Sequence, residues 1–311
     1  MSDFSNYPTV NIFKSRLAES ILTAVLSEQM DLLAFRYGEE YCQLAERVLT
    51  ILDKMKYDTY ITCHRYIYDY LKQMKSFLDS GNYKHSSYDD IKTNIYQNAD
   101  IMLNVYMPGL FLAYATSSIL YTKYHLFRNK FLPLLNNSSV GVDIGFGEGF
   151  YLWELGNVLH GIKITGFDIS EHALTFASKL LGTAGISIQE ITLSNGDILN
   201  GLPVLKENYD FCIISEVIEH VKEPGACISE ASRILKTGGY LFLSTDIDSN
   251  HMDHVTNFIS PDVVEELIES NNFLILDKSL YRIQDDFPKT KDISVGLSYV
   301  CKKKVELYEN R

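Results

Sequence analysis

Three glycines at alternate positions, Gly145, Gly147 and Gly149, follow directly on the apolar run Val140 to Ile144, and a helix-forming stretch follows them. A strand that feeds such a turn and then a helix brings backbone N–H groups close to a ligand. A glycine-rich turn with no ligand is the plainer alternative for the loop taken alone. Its spacing is not the G-x-G-x-x-G of dinucleotide sites, and the tighter rhythm suits a ligand without a pyrophosphate.

The glycine turn sits at the head of a long alternating pattern. After Asn136-Asn137-Ser138-Ser139, short β-branched or aromatic runs alternate with helix patterns, as in a parallel sheet. Val140 to Phe146, Lys163 to Ile169, Ile186 to Ile191, Tyr209 to Ser215 and Gly239 to Asp246 read as strands. Helices are predicted over Glu148 to His160 and Glu171 to Thr183, and again over Ser260 to Asn271. Phe273 to Gln284 and Ile293 to Lys303 read as a closing antiparallel pair.

Asn11 to Leu135 has a different texture. Apolar residues recur there at helical spacing, as in Ile21, Val25, Leu26 and Leu44, Val48, Leu49, Leu52, and four to six helices are expected. Ser80 to Asp90 is turn-rich and breaks the pattern. Tyrosines crowd this half, among them Tyr66, Tyr70, Tyr106, Tyr114, Tyr121 and Tyr124. They read either as amphipathic packing residues with wet hydroxyls or as the wall of an aromatic acceptor pocket.

Charge and composition narrow the partners. The 311 residues carry 28 basic against 40 acidic side chains, a formal charge of −12, which opposes the phosphate neutralisation that duplex nucleic acid demands. Five cysteines without a CxxC pair suggest neither a disulfide framework nor a zinc ribbon, and a cytoplasmic setting fits. The opening MSDFSNYPTV does not read as a secretory signal. From Ile101 to Thr122 no charge occurs, a length that could span a bilayer. Asn104, Pro108-Gly109 and Thr116-Ser117-Ser118 interrupt it, so a buried helix beginning near Pro108 is expected instead.

Further signals follow the glycine loop in order. Asp168 in GFDIS ends the next strand, where a carboxylate can accept both ribose hydroxyls. Asp197-Ile198 in SNGDIL follows the third strand, where an acid can accept from an adenine amine while the aliphatic neighbour packs on the ring. Ser215-Glu216-Val217 closes the fourth strand, and RILKTGGYLFLS reads as helix, glycine cap and strand.

This ordered set, VDIGFGEG, GFDIS, NGDI, YDFCIISEVIEHV and ILKTGGYLFLSTD, resembles the class I S-adenosylmethionine-dependent methyltransferase family over Val140 to Lys303. The resemblance implies a Rossmann-like α/β fold: a seven-stranded, mainly parallel sheet sandwiched by helices, with S-adenosyl-L-methionine across the carboxyl ends of the strands. On this sequence Asp143 would brace the loop, Gly145 and Gly147 would admit the methionyl group, and Asp168 with Ile169 would take the ribose. Asp197 and Ile198 would take the adenine, and Ser215 and Glu216 would face the cofactor. The N-terminal helices have no such match. Residues 1–135 are therefore expected as an all-helical lid and acceptor-binding domain, and 136–311 as the catalytic domain.

The expected activity is methyl transfer to an O or N atom of a small-molecule or peptide acceptor, with specialised metabolism as a setting and a homodimer left open. Holding nucleophile and methyl in line can supply about 7–11 kcal/mol of a barrier. A base would come from His220, His254 or Glu216, with His251 as a further choice. Glu216, Glu219, His220 and His254 also suit a divalent metal, because some class I O-methyltransferases have a similar Glu-x-x-Glu-His and use one. No residue is assigned to a metal, and the metal-assisted enzyme stands as an alternative. A non-catalytic scaffold is another, disfavoured by the intact Asp168 and glycine positions. A nicotinamide oxidoreductase is disfavoured by the glycine spacing.

Overall fold

The computed structural model describes residues 4–80, 91, 95–187, 189–204, 206–249, 254–288 and 293–305. Most of the turn-rich stretch from Ser80 to Asp90, and His251, lie outside the described residues.

Five longer helices precede the sheet among the described residues: α1 (Pro8–Ala18), α2 (Ala24–Lys54), α3 (Thr59–Ser80), α4 (Met107–Thr116) and α5 (Ser118–Leu126). Helix α4 starts as the proline predicts, with Pro108 in its first turn, and it is buried over nearly its whole length. Among the described residues no single helix is long and apolar enough to cross a membrane. The uncharged run is instead broken at Ser117, whose extended backbone and side chain cap α5, and the two arms meet at 75°. A π-helical turn, Met102–Tyr106, leads into α4, and another, Phe127–Phe131, leads out of α5.

The strands are β1 (Val140–Ile144), β2 (Lys163–Asp168), β3 (Ile191–Asn195), β4 (Tyr209–Ser215), β5 (Leu235–Ile247), β6 (Phe273–Arg282) and β7 (Val295–Lys303). They form one seven-stranded sheet in the order β3-β2-β1-β4-β5-β7-β6, parallel except at β7, which is antiparallel to both neighbours. Helices α6 (Phe150–Val158), α7 (Glu171–Ala184), α8 (Pro224–Ile234) and α9 (Pro261–Ser270) connect and cover the strands. The order reverses between β1 and β4, which leaves a crevice at the carboxyl ends.

Alternation along the strands divides the core. Cys212 and Ile214, with Leu241 and Leu243, face one apolar layer under α8 and α9. Phe211 and Ile213, with Phe242, face the other, where α6 and α7 join the N-terminal helices in one cluster that includes Leu33, Tyr41, Phe111 and Phe127. Across the change of texture near residue 135 the apolar packing is thus continuous. The buried Glu154 of α6 reinforces it by accepting from Tyr124 at 2.8 Å and from Arg47 of α2 at 2.6 Å.

Two local expectations are corrected. The third strand is Ile191–Asn195, not Ile186 to Ile191. Helix α7 ends on Gly185 in the left-handed region, and the N–H of Ile186 closes the cap by donating to Leu181 at 3.0 Å. Ile186 then packs against Gly156 on α6, so it plugs a helix junction and does not enter the ladder. Likewise Gly238 and Gly239 do not cap α8, which ends at Ile234. They lie within β5, where the register against β4 shifts and a Cβ on Gly239 would stand 3.0 Å from the carbonyl of Asp210.

Candidate active site

The crevice opens into a cavity of about 300 Å³ lined by the ends of β1, β2, β4 and β5 and by the helical segment. Beyond Ile144 the chain turns through Gly145 at φ +69° and Gly147 at φ +52°, a conformation that side-chain-bearing residues resist. A Cβ on Gly145 would stand 2.5 Å from Cγ2 of Val217. At Gly147 nothing stands closer than the Gly145 carbonyl, 4.0 Å away, so open space adjoins the loop.

Asp168 ties the loop to β2. Its Oδ2 accepts from the Gly147 N–H at 2.9 Å and its Oδ1 from the Ser170 N–H at 2.8 Å. The glycine turn and the carboxylate that ends β2 therefore share one hydrogen bond, so Asp168 braces the loop, a role expected of Asp143. Burial pushes the Asp168 carboxyl up to about 6 against the pull of those two N–H groups. Asn195, which the sequence reading did not single out, pins β3 alongside by donating to the carbonyls of Asp168 at 3.2 Å and Ile169 at 2.9 Å.

Asp143, Ile169, Asp197 and Ile198 also line the cavity. Asp197 caps a short 3₁₀ turn, accepting from the Leu199 N–H at 3.0 Å, and this holds Ile198 half inward. Burial drives Asp143 well above the usual carboxylate range, and it pushes Glu148 up to about 8. Among the described residues seven carboxylic side chains line the cavity, namely Asp143, Glu148, Asp168, Asp197, Glu216, Glu219 and Asp246, and no Lys or Arg does. Burial favours the neutral forms of Asp143, Glu148 and Glu219, and Lys123 offsets Glu216 and Asp246, so the rim is rich in hydrogen-bonding carboxyls and offers a pyrophosphate no cation. The residues fit a sulfonium nucleoside with its amine, and they fit a nicotinamide dinucleotide poorly.

The fourth strand delivers the catalytic candidates. Ser215 and Ser244 share a hydrogen bond of 2.8 Å at the ends of β4 and β5. Glu216 sits at φ +54°, with both carboxylate oxygens 2.7 Å from Nζ of Lys123. His220 and His254 come together edge to face, with ring centroids 4.9 Å apart. Nδ1 of His254 lies 3.1 Å from the Ser249 carbonyl, which can only accept, so that nitrogen carries the proton and Nε2 is the acceptor of the ring.

Beside them Glu219 is fully buried. Its Oε2 accepts from Thr245 at 2.7 Å, while Oε1 has no hydrogen-bond partner among the described residues. Burial first, and then the neighbouring Glu216, raise this carboxyl, with His220 and Lys123 opposing. One ligand atom from each of Glu219, His220 and His254 lies within 4.8 Å of the others. An orphaned carboxylate oxygen and two imidazoles fit a divalent cation, whereas Glu216, the fourth residue of the alternative metal set, is held by Lys123.

The opposite wall comes from the helical segment: Tyr66 and Tyr70 of α3, the π turn with Met102 and Tyr106, and Met107, Leu110 and Tyr114 of α4. Gly109 allows this wall to close, because a Cβ there would stand 2.4 Å from the Tyr66 ring. Tyr114 stacks on Phe150 of α6 with centroids 3.4 Å apart. Lys123 and the cavity-lining Asp246 were not among the candidates. The available signal was position, since Lys123 is the first charge after the uncharged run.

Residues 142–243 match the family model described as a methyltransferase domain. A ubiquinone biosynthesis O-methyltransferase of Pseudomonas savastanoi pv. phaseolicola is 31% identical over 104 residues, 33% of this chain and 43% of that protein. One of Pectobacterium atrosepticum is 25% identical over 165 residues, 51% of this chain and 65% of that protein. The chain thus spans about half the length of the curated relatives it matches. Among solved structures, phosphoethanolamine N-methyltransferase 2 of Haemonchus contortus in complex with S-adenosyl-L-methionine superposes with a TM-score of 0.51 at 14% identity, covering 70% of this chain and 60% of that one. The strand order and the motifs agree with the family match: residues 142–243 carry a methyltransferase domain, within a Rossmann-like sheet of the class I S-adenosylmethionine-dependent kind.

Proposed function

We propose that this chain transfers a methyl group from S-adenosyl-L-methionine to an oxygen of a small, largely apolar acceptor. The observation that carries the proposal is one cavity shared by an acid-rimmed glycine loop, a pair of histidines and a wall of tyrosine, methionine and leucine. The loop with Asp143, Gly145, Gly147, Asp168 and Ile169 holds the methionyl and ribose groups, Asp197 and Ile198 the adenine, and Ser215 and Glu216 flank them.

Bound S-adenosyl-L-methionine supplies an electrophilic methyl on a sulfur that leaves as a neutral thioether, so no residue has to protonate a leaving group. The work left to the protein is alignment and exclusion of water. The tyrosine wall supplies the second, and His220 or His254 takes the proton of an acceptor hydroxyl. Oxygen is favoured over nitrogen because the relatives are named O-methyltransferases and because a hydroxyl requires such a base. An apolar acceptor is favoured over a peptide because the wall opposite the glycine loop is made of tyrosine, methionine and leucine. Residues 1–135 act in this reading as the acceptor-binding part.

The test is a panel of hydroxylated aromatic, amine and peptide acceptors incubated with radiolabelled methyl donor. Label on a hydroxyl supports the reading. Label only on amines, or label on none while S-adenosylhomocysteine still binds, as a scaffold would behave, overturns it.

A second reading, metal-assisted O-methylation, draws support from the unpartnered Glu219 oxygen. Glu219, His220 and His254 would hold a divalent ion, which would orient and acidify the acceptor hydroxyl. Calorimetry with magnesium and manganese tests it, and silence with both, together with full activity after chelation and dialysis, removes it.

A further inference from the structure

Lys123 lies on α5, and only 2% of it is exposed, so its ammonium is withdrawn from water and must be matched inside the protein. Besides its contacts to both oxygens of Glu216, its Nζ stands 2.5 Å from Oδ1 of Asp246 on β5. Burial pulls its pKa down, but the two carboxylates outweigh that and raise it, so it remains charged.

The stem reaches these partners past Gly296 of β7, which is paired with Asp246 across the ladder. A Cβ there would stand 2.6 Å from Cγ2 of Ile119 and 3.1 Å from Cε of Lys123, so the missing side chain keeps the passage open. Ser244 adds a hold on Glu216, donating from Oγ to Oε1 at 2.7 Å and accepting the Glu216 N–H at 3.0 Å. Glu216 is in the left-handed region, which a non-glycine residue keeps only when its surroundings fix it.

Both carboxylates line the cavity, while the cation that joins them arrives from the helical segment. We propose that Lys123 is a positioning residue that couples the seating of α5 to the cofactor end of the cavity, holding Glu216 in place only when the helix is docked. The proposal rests on the reading of Glu216 as facing the cofactor. Coupling of this kind is reciprocal, so the cofactor product must in turn steady the helix.

The experiment compares the full-length protein with a Lys123→Met/Asp246→Asn double variant, which removes one charge of each sign. Amide hydrogen exchange over residues 118–126 is followed with and without saturating S-adenosylhomocysteine, and its affinity is measured by calorimetry. The ligand is expected to slow exchange in the wild type about tenfold, and the double variant to lose that protection together with about tenfold in affinity. A purely structural role would lower the melting temperature without removing the ligand-dependent protection.

Equal protection in the two proteins, or unchanged affinity, overturns the proposal. Asp168→Ala serves as the control: if it too binds normally, the cofactor reading itself falls, whereas loss there with no effect at Lys123 sinks only the coupling. Should the double variant fail to fold, Gly296→Ala, which only crowds the lysine stem, decides the matter. It is expected to weaken both affinity and protection several-fold, and no change in either overturns the proposal.

Discussion

The two walls of the cavity are built on different principles. The loop wall uses groups close together in the chain: glycine N–H groups after β1, a carboxylate at the end of β2, a capped turn after β3. The helical wall uses side chains from α3, α4 and the π turn, whose positions relative to the strands follow from long-range contacts, mostly apolar packing with a few buried polar links. The difference teaches that the cofactor end is a property of strand–turn–helix units, each of which carries its own geometry. The opposite wall, the proposed acceptor end, is a property of how the N-terminal helices settle on the sheet.

If this contrast is sound, damage to the helical wall costs the fold and damage to the loop wall costs the ligand. The largest effect is expected for Phe150→Ala at the joint. Phe150 is fully buried against Tyr114, Tyr124 and Trp153, and its loss should lower stability by about 3–5 kcal/mol in denaturant titration. A loss under about 1 kcal/mol would mean that helices and sheet are only loosely joined.

Asp168→Ala should act in the opposite sense. S-adenosylhomocysteine affinity should drop by about 1–3 kcal/mol, roughly 5- to 150-fold in calorimetric titration, alongside a fall in melting because the Gly147 and Ser170 N–H groups lose their acceptor. Unaltered affinity would remove Asp168 from the ribose site. Arg47→Ala should come next, because it strips one of the two hydrogen bonds on the buried Glu154 while Tyr124 keeps the other. A loss of about 1.5–3 kcal/mol in stability and none in ligand affinity is expected, since the pair joins α2 to α6 away from the glycine loop.

Two pH trends of opposite sign complete the comparison. The Glu148 carboxyl sits at about 8 in the folded protein against an ordinary 4.5, so between those values the folded state keeps a proton that the unfolded chain has released. Its stabilising share is complete at low pH and is lost as the pH rises through about 8, so melting temperatures should decline over that window. Glu148→Gln should flatten the decline. Ligand affinity should instead weaken as the pH falls through about 6, because protonation takes away the charge and one acceptor oxygen with which Asp168 is proposed to hold the two ribose hydroxyls. Parallel trends in the two measurements would break the assignment of the two carboxyls to separate tasks.

Most of the sheet was legible because each strand is short, apolar and followed at once by its own turn signal. Ile186 shows where that logic stops: as a β-branched residue beside Gly185 it has strand character, yet it closes a helix cap. Gly238-Gly239 misled in the same way, since a glycine pair reads as a cap until the partner strand reveals the bulge. The tyrosines were visible as a cluster in the sequence, but only the helix arrangement separates those in the cavity, such as Tyr66 and Tyr106, from Tyr41, whose hydroxyl is satisfied by the Ala115 carbonyl at 2.7 Å.

The sequence by itself determined the parallel sheet, the glycine loop and the presence of a carboxylate at the end of β2, because these follow from alternation, φ requirements and neighbours a few residues apart; that Asp168 would hold the loop was decided by the meeting of two strand ends. Only the tertiary structure decided that Lys123 would meet Glu216 and Asp246, 93 and 123 positions further on. The same holds for the meeting of His220 with His254 and Glu219. Such contacts depend on where whole helices and strand ends come to rest, and the packing of many apolar side chains fixes that at once, with no local pattern to announce it.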